Sequence, residues 1–220
     1  MMKSVLPPLD PSDPRDRILD SAINEFAAHG FHGATTRTIA AGARVNISMI
    51  NYYYGSKQGL LKAATERYFR QISALIHDVF GRPEPPDRQL SRLIREIISF
   101  FRAHRNLVAV VINTWSLEIP EAASTKVEFL KRISTFFEQA IIPRMPGLSQ
   151  IPKPATIVGP AVIGSIAIHF MFQPVIEEVL GHPCDDLFYD HMSNLLSTVF
   201  THGLIDAYSA GESCSGEAVS

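Results

Sequence analysis

The chain has 220 residues, of which 46% are hydrophobic, so it can bury the core of one or two domains. Its net charge of −2 favours no class of partner, and no run of roughly 18 apolar residues predicts a membrane span. Two cysteines are too few for a disulfide framework, and the first residues lack the apolar core of a signal peptide, so a cytoplasmic protein is expected.

Positive charge is concentrated in one segment. Residues 30–70 hold six basic side chains and one acidic side chain, a net charge of +5, which leaves −7 for the rest of the chain. A basic end on an otherwise acidic chain favours contact with a polyanion at that end. An uneven, solvated surface would produce the same pattern.

The first predicted elements are an arm and a helix. Residues 1–13 contain three prolines and predict a flexible arm. Asp13 followed by Pro14 is typical of a helix start, and apolar residues then recur at helical spacing as far as Phe26. Gly30 is expected to end this helix.

Two short helices are predicted next, around a tight turn. Thr35 begins the first of them, and Arg44-Val45 forms the turn. Asn46 is placed to cap the second, because its side-chain carbonyl can accept an unpaired backbone N–H. Gly55 ends this second helix, and a long amphipathic helix follows.

The helix that follows Asn46 is short, polar and aromatic, which suits contact with a partner better than filling a core. In a helix-turn-helix, one helix enters the major groove of DNA and its flanks bind phosphates. Ile47 and Ile50 are expected to lie mostly in the core, although Ile47 stays among the candidate contacts. The candidate DNA-binding residues are Thr35, Thr36, Arg37, Asn46, Ile47, Ser48, Met49, Asn51, Tyr52, Tyr53 and Lys57.

The rest of the chain also has helical periodicity, and no alternating strand pattern is visible, so the predicted fold class is all-α. Glycines and prolines separate the apolar segments. The further predicted helices cover residues 90–103, 107–117, 127–142, 156–172 and 186–204.

A specific set of residues extends over the first three helices and their joints: Arg17-Ile18-Leu19, Ala22, Phe26, Gly30-Phe31, Thr35-Thr36, Ile39-Ala40, Val45, Tyr53-Tyr54, Ser56-Lys57 and Leu60-Leu61. This pattern resembles the N-terminal domain of the TetR family of bacterial transcriptional regulators over about residues 14–62. The resemblance implies a three-helix helix-turn-helix domain followed by a larger helical domain for effector binding and dimerisation. The expected division is an arm at 1–13, a DNA-binding domain at 14–60, an effector and dimer domain at 61–208 and a disordered tail at 209–220.

Three residues depart from the family pattern. Arg44 stands where the family usually has glycine in the turn, so a residue with a β-carbon has to take a left-handed conformation there. Asn51 stands where tyrosine is frequent, and Tyr54 where phenylalanine is frequent. Asn51 could bond an adenine in a bidentate manner or bond a phosphate.

The resemblance also implies a pocket for an effector that is partly apolar. Large, partly polar side chains on otherwise apolar helices are the candidates for its lining, although each could equally fill the core. These candidates are His104, Asn113, Trp115, Phe137, His169, Met171 and Phe172.

Regulators of this kind typically dimerise through two helices from each subunit. The last two long helices are the expected pair, because small residues in the first of them permit close approach. The candidate interface residues are Gly164, Ile168, Phe188, His191, Leu195 and Thr198.

No cofactor, metal site or enzymatic activity is predicted. His182, Cys184 and their neighbouring histidines are not spaced for a zinc site, and no nucleophile–base–acid set stands out. The predicted function is a ligand-responsive regulator, most often a repressor, that binds a near-palindromic double-stranded DNA operator as a homodimer. The alternative is a helical small-molecule-binding protein that does not act through DNA.

Overall fold

The computed structural model describes residues 9–114, 120–144 and 153–209. These residues form α-helices, a π-helical turn (Phe137–Ile141) and a 3-10 turn (Ile142–Arg144), and no strand, which confirms the all-α fold class. The first eight residues of the predicted arm, the predicted tail beyond Ser209 and the candidate ligand residue Trp115 lie outside the described residues. The helices are α1 (Pro14–Gly33), α2 (Thr36–Ala43), α3 (Ile47–Tyr54), α4 (Lys57–Phe80), α5 (Pro86–Ala103), α6 (Arg105–Asn113), α7 (Pro120–Phe136), α8 (Ala155–Met171), α9 (Gln173–Leu180) and α10 (Asp186–Ser209).

The helix starts near the N-terminus follow their local signals. The Asp13 carboxylate accepts the N–H of Arg15 at 2.8 Å and so caps α1, as predicted. α1 is interrupted at Gly30, whose φ is 69°, and one further turn follows before Ala34. The ring of Phe31 then lies 5.6 Å from that of Phe26, so the chain folds back on the helix.

The chain divides into two compact units. One unit comprises residues 1–74 and 102–130 and includes α1–α3 and α6. α6 packs on α1, and the Asn106 amide donates to the Asn24 side chain at 2.8 Å. The buried core of this unit consists of Ile18, Ala22, Phe26, Ala34, Ile39, Ala40, Ala43, Ile50, Leu60, Leu61, Val110 and Ala122.

The other unit comprises residues 75–101 and 131–220 and includes α5 and α8–α10. Aromatic rings join these helices, because Phe170 of α8 lies 5.4 Å from Phe101 of α5 and 5.6 Å from Tyr189 of α10. Residues 102–130 belong to the same compact unit as the N-terminal helices. The functional division expected at residues 60/61 stays a prediction.

α9 is absent from the helices predicted above. Prolines are expected to separate the helical segments, but Pro174 lies in the first turn of α9, where a proline costs no hydrogen bond. Within the described ranges, no single helix has the length and hydropathy needed to cross a membrane. α8 and α9 meet that criterion only as a pair, and they are bent by 59°.

Candidate nucleic-acid interface

The turn between α2 and α3 is built on Arg44. This residue has φ 55° and ψ 47°, the left-handed conformation that replacing glycine requires. Its N–H donates to Ala41 at 3.1 Å, and the N–H of Val45 donates to Ala40 at 3.0 Å. The two carbonyls at the end of α2 are thereby satisfied, and the chain reverses into α3 within three residues.

α2 is fixed on α1 by small and polar residues that the sequence did not single out. A β-carbon on Gly42 would lie 2.5 Å from the hydroxyl oxygen of Ser21, so only glycine permits this approach without a shift. The Ser21 hydroxyl donates to the carbonyl of Ile39 at 2.8 Å. The Arg17 guanidinium donates to the carbonyl of Ala43 at 3.2 Å and so caps the end of α2.

α3 has one fully buried residue and leaves much of its surface open. Ile50 is fully buried, whereas 82% of the Tyr52 side chain is exposed. Ile47 is 47% exposed, so its expected place in the core was wrong, because the first turn of α3 projects beyond the three-helix core. Ser48 and Asn51 are also exposed. The accessible face of α3 therefore carries hydrogen-bonding, aromatic and branched apolar side chains together.

Asn46 caps α3 as predicted. Its side-chain oxygen accepts both the backbone N–H and the hydroxyl of Ser48, each at 2.9 Å. The Ser48 hydroxyl proton is therefore engaged, while its oxygen can still accept a bond. Met49 is half-buried against the core, so only part of this side chain is available to a partner.

Three successive tyrosines end α3 and differ in their surroundings. The rings of Tyr52 and Tyr53 meet edge to face at 4.9 Å. The Tyr54 hydroxyl donates to the carbonyl of Arg15 at 2.9 Å, so this residue packs against α1. Burial raises the pKa of Tyr54. Tyr54 therefore ties α3 to α1, Tyr53 is half-buried against the core, and Tyr52 remains exposed.

Lys57, a predicted phosphate ligand, is engaged within the unit. Its ammonium donates to the carbonyls of Phe31 at 2.8 Å and Ala34 at 2.9 Å, and it lies 4.6 Å from the centre of the Phe31 ring. The lysine thus holds the start of α4 against the C-terminal end of α1. Its contact with phosphate stays a prediction.

The start of α2 provides the other flank of α3. Thr35 and Thr38 form a reciprocal capping box, in which the Thr35 hydroxyl accepts the N–H of Thr38 at 3.1 Å. Thr36 is half-buried and Arg37 is exposed. The N-terminus of a helix and an exposed guanidinium are both suited to bind a phosphate.

His104, a candidate for the effector pocket, is half-buried in the first unit. It lines an open cleft of about 920 Å³ within the first unit, where Asp16, Asp20, Arg17 and Arg67 also face the opening. Burial lowers the pKa of His104, and the positive charge of Arg67 lowers it further. Apolar side chains such as Ile23 and Leu107 also line this cleft, and the place of His104 in an effector pocket stays a prediction.

The other described ligand candidates are dispersed. Asn113 is exposed in the first unit, and Phe137 of the second unit is buried with its ring 5.7 Å from that of Phe80. His169 Nδ1 lies 2.7 Å from the Ser165 carbonyl of its own helix. The last two candidates are Met171 and Phe172, which are exposed by 53% and 51%. Their membership of a pocket stays a prediction.

The dimer candidates lie on exposed faces of α8 and α10. On α8, Gly164 and Ile168 are exposed, and on α10 so are His191, Leu195 and Thr198. Phe188 is half-buried against Tyr189, with ring centres 5.4 Å apart. Other exposed apolar residues on these two helices were not among the predicted site residues: Ile157 on α8, and Leu187 and Val199 on α10.

Among the residues that the structure describes, no three His, Cys, Asp or Glu side chains are grouped so that they could hold a metal ion.

Residues 18–64 match the family described as "Bacterial regulatory proteins, tetR family". The chain is 30% identical over 99 residues to the probable HTH-type transcriptional regulator YttP of Bacillus subtilis, which covers 44% of this chain and 48% of the relative. The chain spans about half the length of the curated relatives that it matches.

Solved structures match over more of the chain. The fatty acid degradation regulator FadR from Bacillus halodurans superposes with a TM-score of 0.70 at 15% identity, over 88% of this chain and 97% of that chain. AibR, solved in complex with isovaleryl coenzyme A and operator DNA, superposes with a TM-score of 0.64 at 16% identity, over 85% of this chain and 97% of that chain. At these identities the likeness concerns the fold.

Proposed function

Because this chain belongs, through residues 18–64, to the tetR family of bacterial regulatory proteins, we propose that it regulates transcription as a homodimer whose α3 helices bind DNA. The DNA site is a near-palindromic operator, and the protein acts as a repressor that a small molecule releases. The observation that carries the proposal is the exposed polar and aromatic face of α3 on a rigidly packed three-helix base.

Contact with bases is assigned to the open face of α3. Asn51 is exposed and can pair with adenine through two hydrogen bonds, and Ile47 can contact the methyl group of a thymine. Ser48 offers its hydroxyl oxygen as an acceptor, because its proton is already held by Asn46. Tyr52, with 82% of its side chain exposed, reaches furthest from the helix.

Contact with phosphates is assigned to the flanks of α3. Arg37 and Thr36 lie at the start of α2, and the Tyr53 hydroxyl lies at the end of α3. The net charge of +5 between residues 30 and 70 supports this assignment, since electrostatic attraction supplies much of the affinity for DNA. Lys57 contributes mainly by holding α4 in place.

Dimerisation is assigned to the exposed apolar faces of α8 and α10. Ile157, Gly164 and Ile168 recur at a spacing of seven and four residues, which aligns them along one face of α8. Leu187, His191 and Leu195 are similarly aligned on α10. Contiguous exposed apolar surface is rare on monomers and is typical of homodimer interfaces.

A dimer presents two α3 helices, which fit two half-sites about one helical turn of DNA apart, roughly 34 Å. The effector would favour a dimer state in which these helices are wrongly spaced for successive major grooves. AibR is described with isovaleryl coenzyme A, so acyl-coenzyme A thioesters are the first effectors to test.

Fluorescence anisotropy with a labelled duplex from the region upstream of the gene tests the proposal. We expect specific binding. The logarithm of its association constant should fall linearly with the logarithm of the salt concentration. Arg37→Gln should reduce that slope by about 1, and Asn51→Ala should cost about 1–3 kcal/mol on the operator and little on an unrelated duplex. Arg132→Gln, an exposed position on α7, is the matched control for Arg37→Gln. Absence of binding, or binding that does not depend on salt, would contradict the proposal.

A further inference from the structure

A second basic feature, separate from α3, lies on α5. A cleft of about 440 Å³ there is lined by Glu84, Arg88, Ser91, Arg92 and Arg95. The three arginines are four and three residues apart, so successive guanidinium groups lie next to each other on one face of the helix. With a single carboxylate among these residues, the lining carries a net charge of +2.

One wall of the cleft is held in place by side-chain bonds. Arg92 donates through Nη2 and Nε to the two carboxylate oxygens of Glu84, at 2.7 and 3.1 Å. Arg144 donates to the Glu84 carbonyl at 3.1 Å, and the buried Gln89 amide donates to the Arg82 carbonyl at 2.7 Å. Three side chains therefore fix the loop between α4 and α5 and hold the Arg92 fork in one orientation.

The other two arginines of the cleft are exposed. Arg88 and Arg95 make no ion pair or hydrogen bond with any residue in 9–114, 120–144 or 153–209. By contrast Arg82, on the preceding loop, is neutralised by Asp78 at 2.7 Å. Two guanidinium groups are thus free to bind an external anion, beside a third that is already paired with Glu84 through Nε and Nη2.

We propose that this cleft binds the phosphate groups of a small phosphorylated molecule. Guanidinium groups bind phosphate oxygens through two parallel hydrogen bonds, and several adjacent ones suit a di- or polyphosphate. The Ser91 hydroxyl supplies an additional donor between the arginines. The volume falls in the usual range for small-molecule sites, roughly 300–1,000 Å³.

The concave shape favours a small ligand over the DNA backbone, which would need a longer basic track. The inference does not depend on the DNA-binding proposal, because anion binding can be measured without DNA. The phosphate could belong to a free polyphosphate or to the end of a larger effector, so both sources enter the experiment.

The experiment is isothermal titration calorimetry of the full chain with inorganic pyrophosphate and, separately, with coenzyme A. The test variant is Arg88→Gln/Arg95→Gln. Lys131→Gln/Arg132→Gln is the matched control, because it removes two positive charges from exposed positions of α7 in the same unit. Circular dichroism checks that all variants keep the wild-type helix content.

We expect both probes to bind the wild type, the test variant to lose at least tenfold in affinity, and the control to change by less than twofold. Tighter binding of coenzyme A than of pyrophosphate assigns the cleft to a phosphorylated effector, and equal binding assigns it to a free polyphosphate. The inference is overturned if neither probe binds or if both variants lose affinity equally. It is also overturned if the test variant weakens only DNA binding.

Discussion

Two helical surfaces of this protein are open for different reasons. The open face of α3 consists of Ser48, Asn51 and Tyr52 around an isolated Ile47, above one fully buried anchor, Ile50. The open face of α10 repeats large apolar residues, with Leu187, Leu195 and Val199 exposed by 61%, 64% and 53%. A polar face of this kind suits a hydrated polyanion. Exposure of an apolar face to water costs free energy until a protein surface covers that face. The fold therefore presents two open surfaces of opposite chemistry.

The largest effect is expected from a substitution in the apolar face of α10. Leu195→Glu places a charge on α10 where the partner subunit is proposed to pack, so the dimer should dissociate. Loss of simultaneous binding to two half-sites should weaken operator binding by about 100-fold or more. Multi-angle light scattering and anisotropy measure the two effects. Val127→Glu, an exposed position of α7 at 42%, is the control, and an equal loss of dimer in both variants would argue against the α10 interface.

The second prediction compares two isoleucines of α3. Ile50→Ala should lower the free energy of unfolding by about 2–5 kcal/mol, because the side chain is fully buried in the core. Ile47→Ala should stay within about 0.5 kcal/mol, since nearly half of the side chain is already in water. Urea denaturation measures both. Similar losses would mean that Ile47 is part of the core after all.

The third prediction sharpens the role of Lys57. Lys57→Gln removes the donor to two carbonyls and should cost about 1–3 kcal/mol of stability. Lys62→Gln, on the same helix, loses only a surface ion pair with Glu66 and should cost about 0–1 kcal/mol. Thermal denaturation gives the comparison, and the salt dependence of DNA binding gives a second one. If both variants are equally stable and only Lys57→Gln lowers the salt dependence of DNA binding, Lys57 is a phosphate ligand instead.

The smallest expected effect concerns the turn before α3. Arg44→Gly should raise the free energy of unfolding by about 0.5–1 kcal/mol, because glycine adopts the left-handed conformation without steric cost. Arg44→Ala removes the same charge but keeps the β-carbon, so it should give no gain. Urea denaturation measures both variants. An equal rise in the free energy of unfolding would show that the charge of Arg44, and not its backbone conformation, causes the effect.

Local signals in the sequence predicted most of the N-terminal unit. The caps Asp13 and Asn46, the interruption at Gly30 and the left-handed Arg44 all lie where the sequence placed them. These features depend on residues at most four positions apart, so a short stretch of sequence specifies them. α9 escaped prediction because Pro174 was given its usual role as a helix breaker, whereas at a helix start it is favourable.

By itself, the sequence determined the fold class, the family of the N-terminal domain and the three-helix arrangement that presents α3. Only the tertiary structure decided which charges are free. Lys57 donates to carbonyls 26 and 23 positions away in the sequence. Arg144 donates to the carbonyl of Glu84, 60 positions away, beside the cleft on α5. Such pairs form only when packing brings distant segments together, so no local pattern in the sequence predicts them.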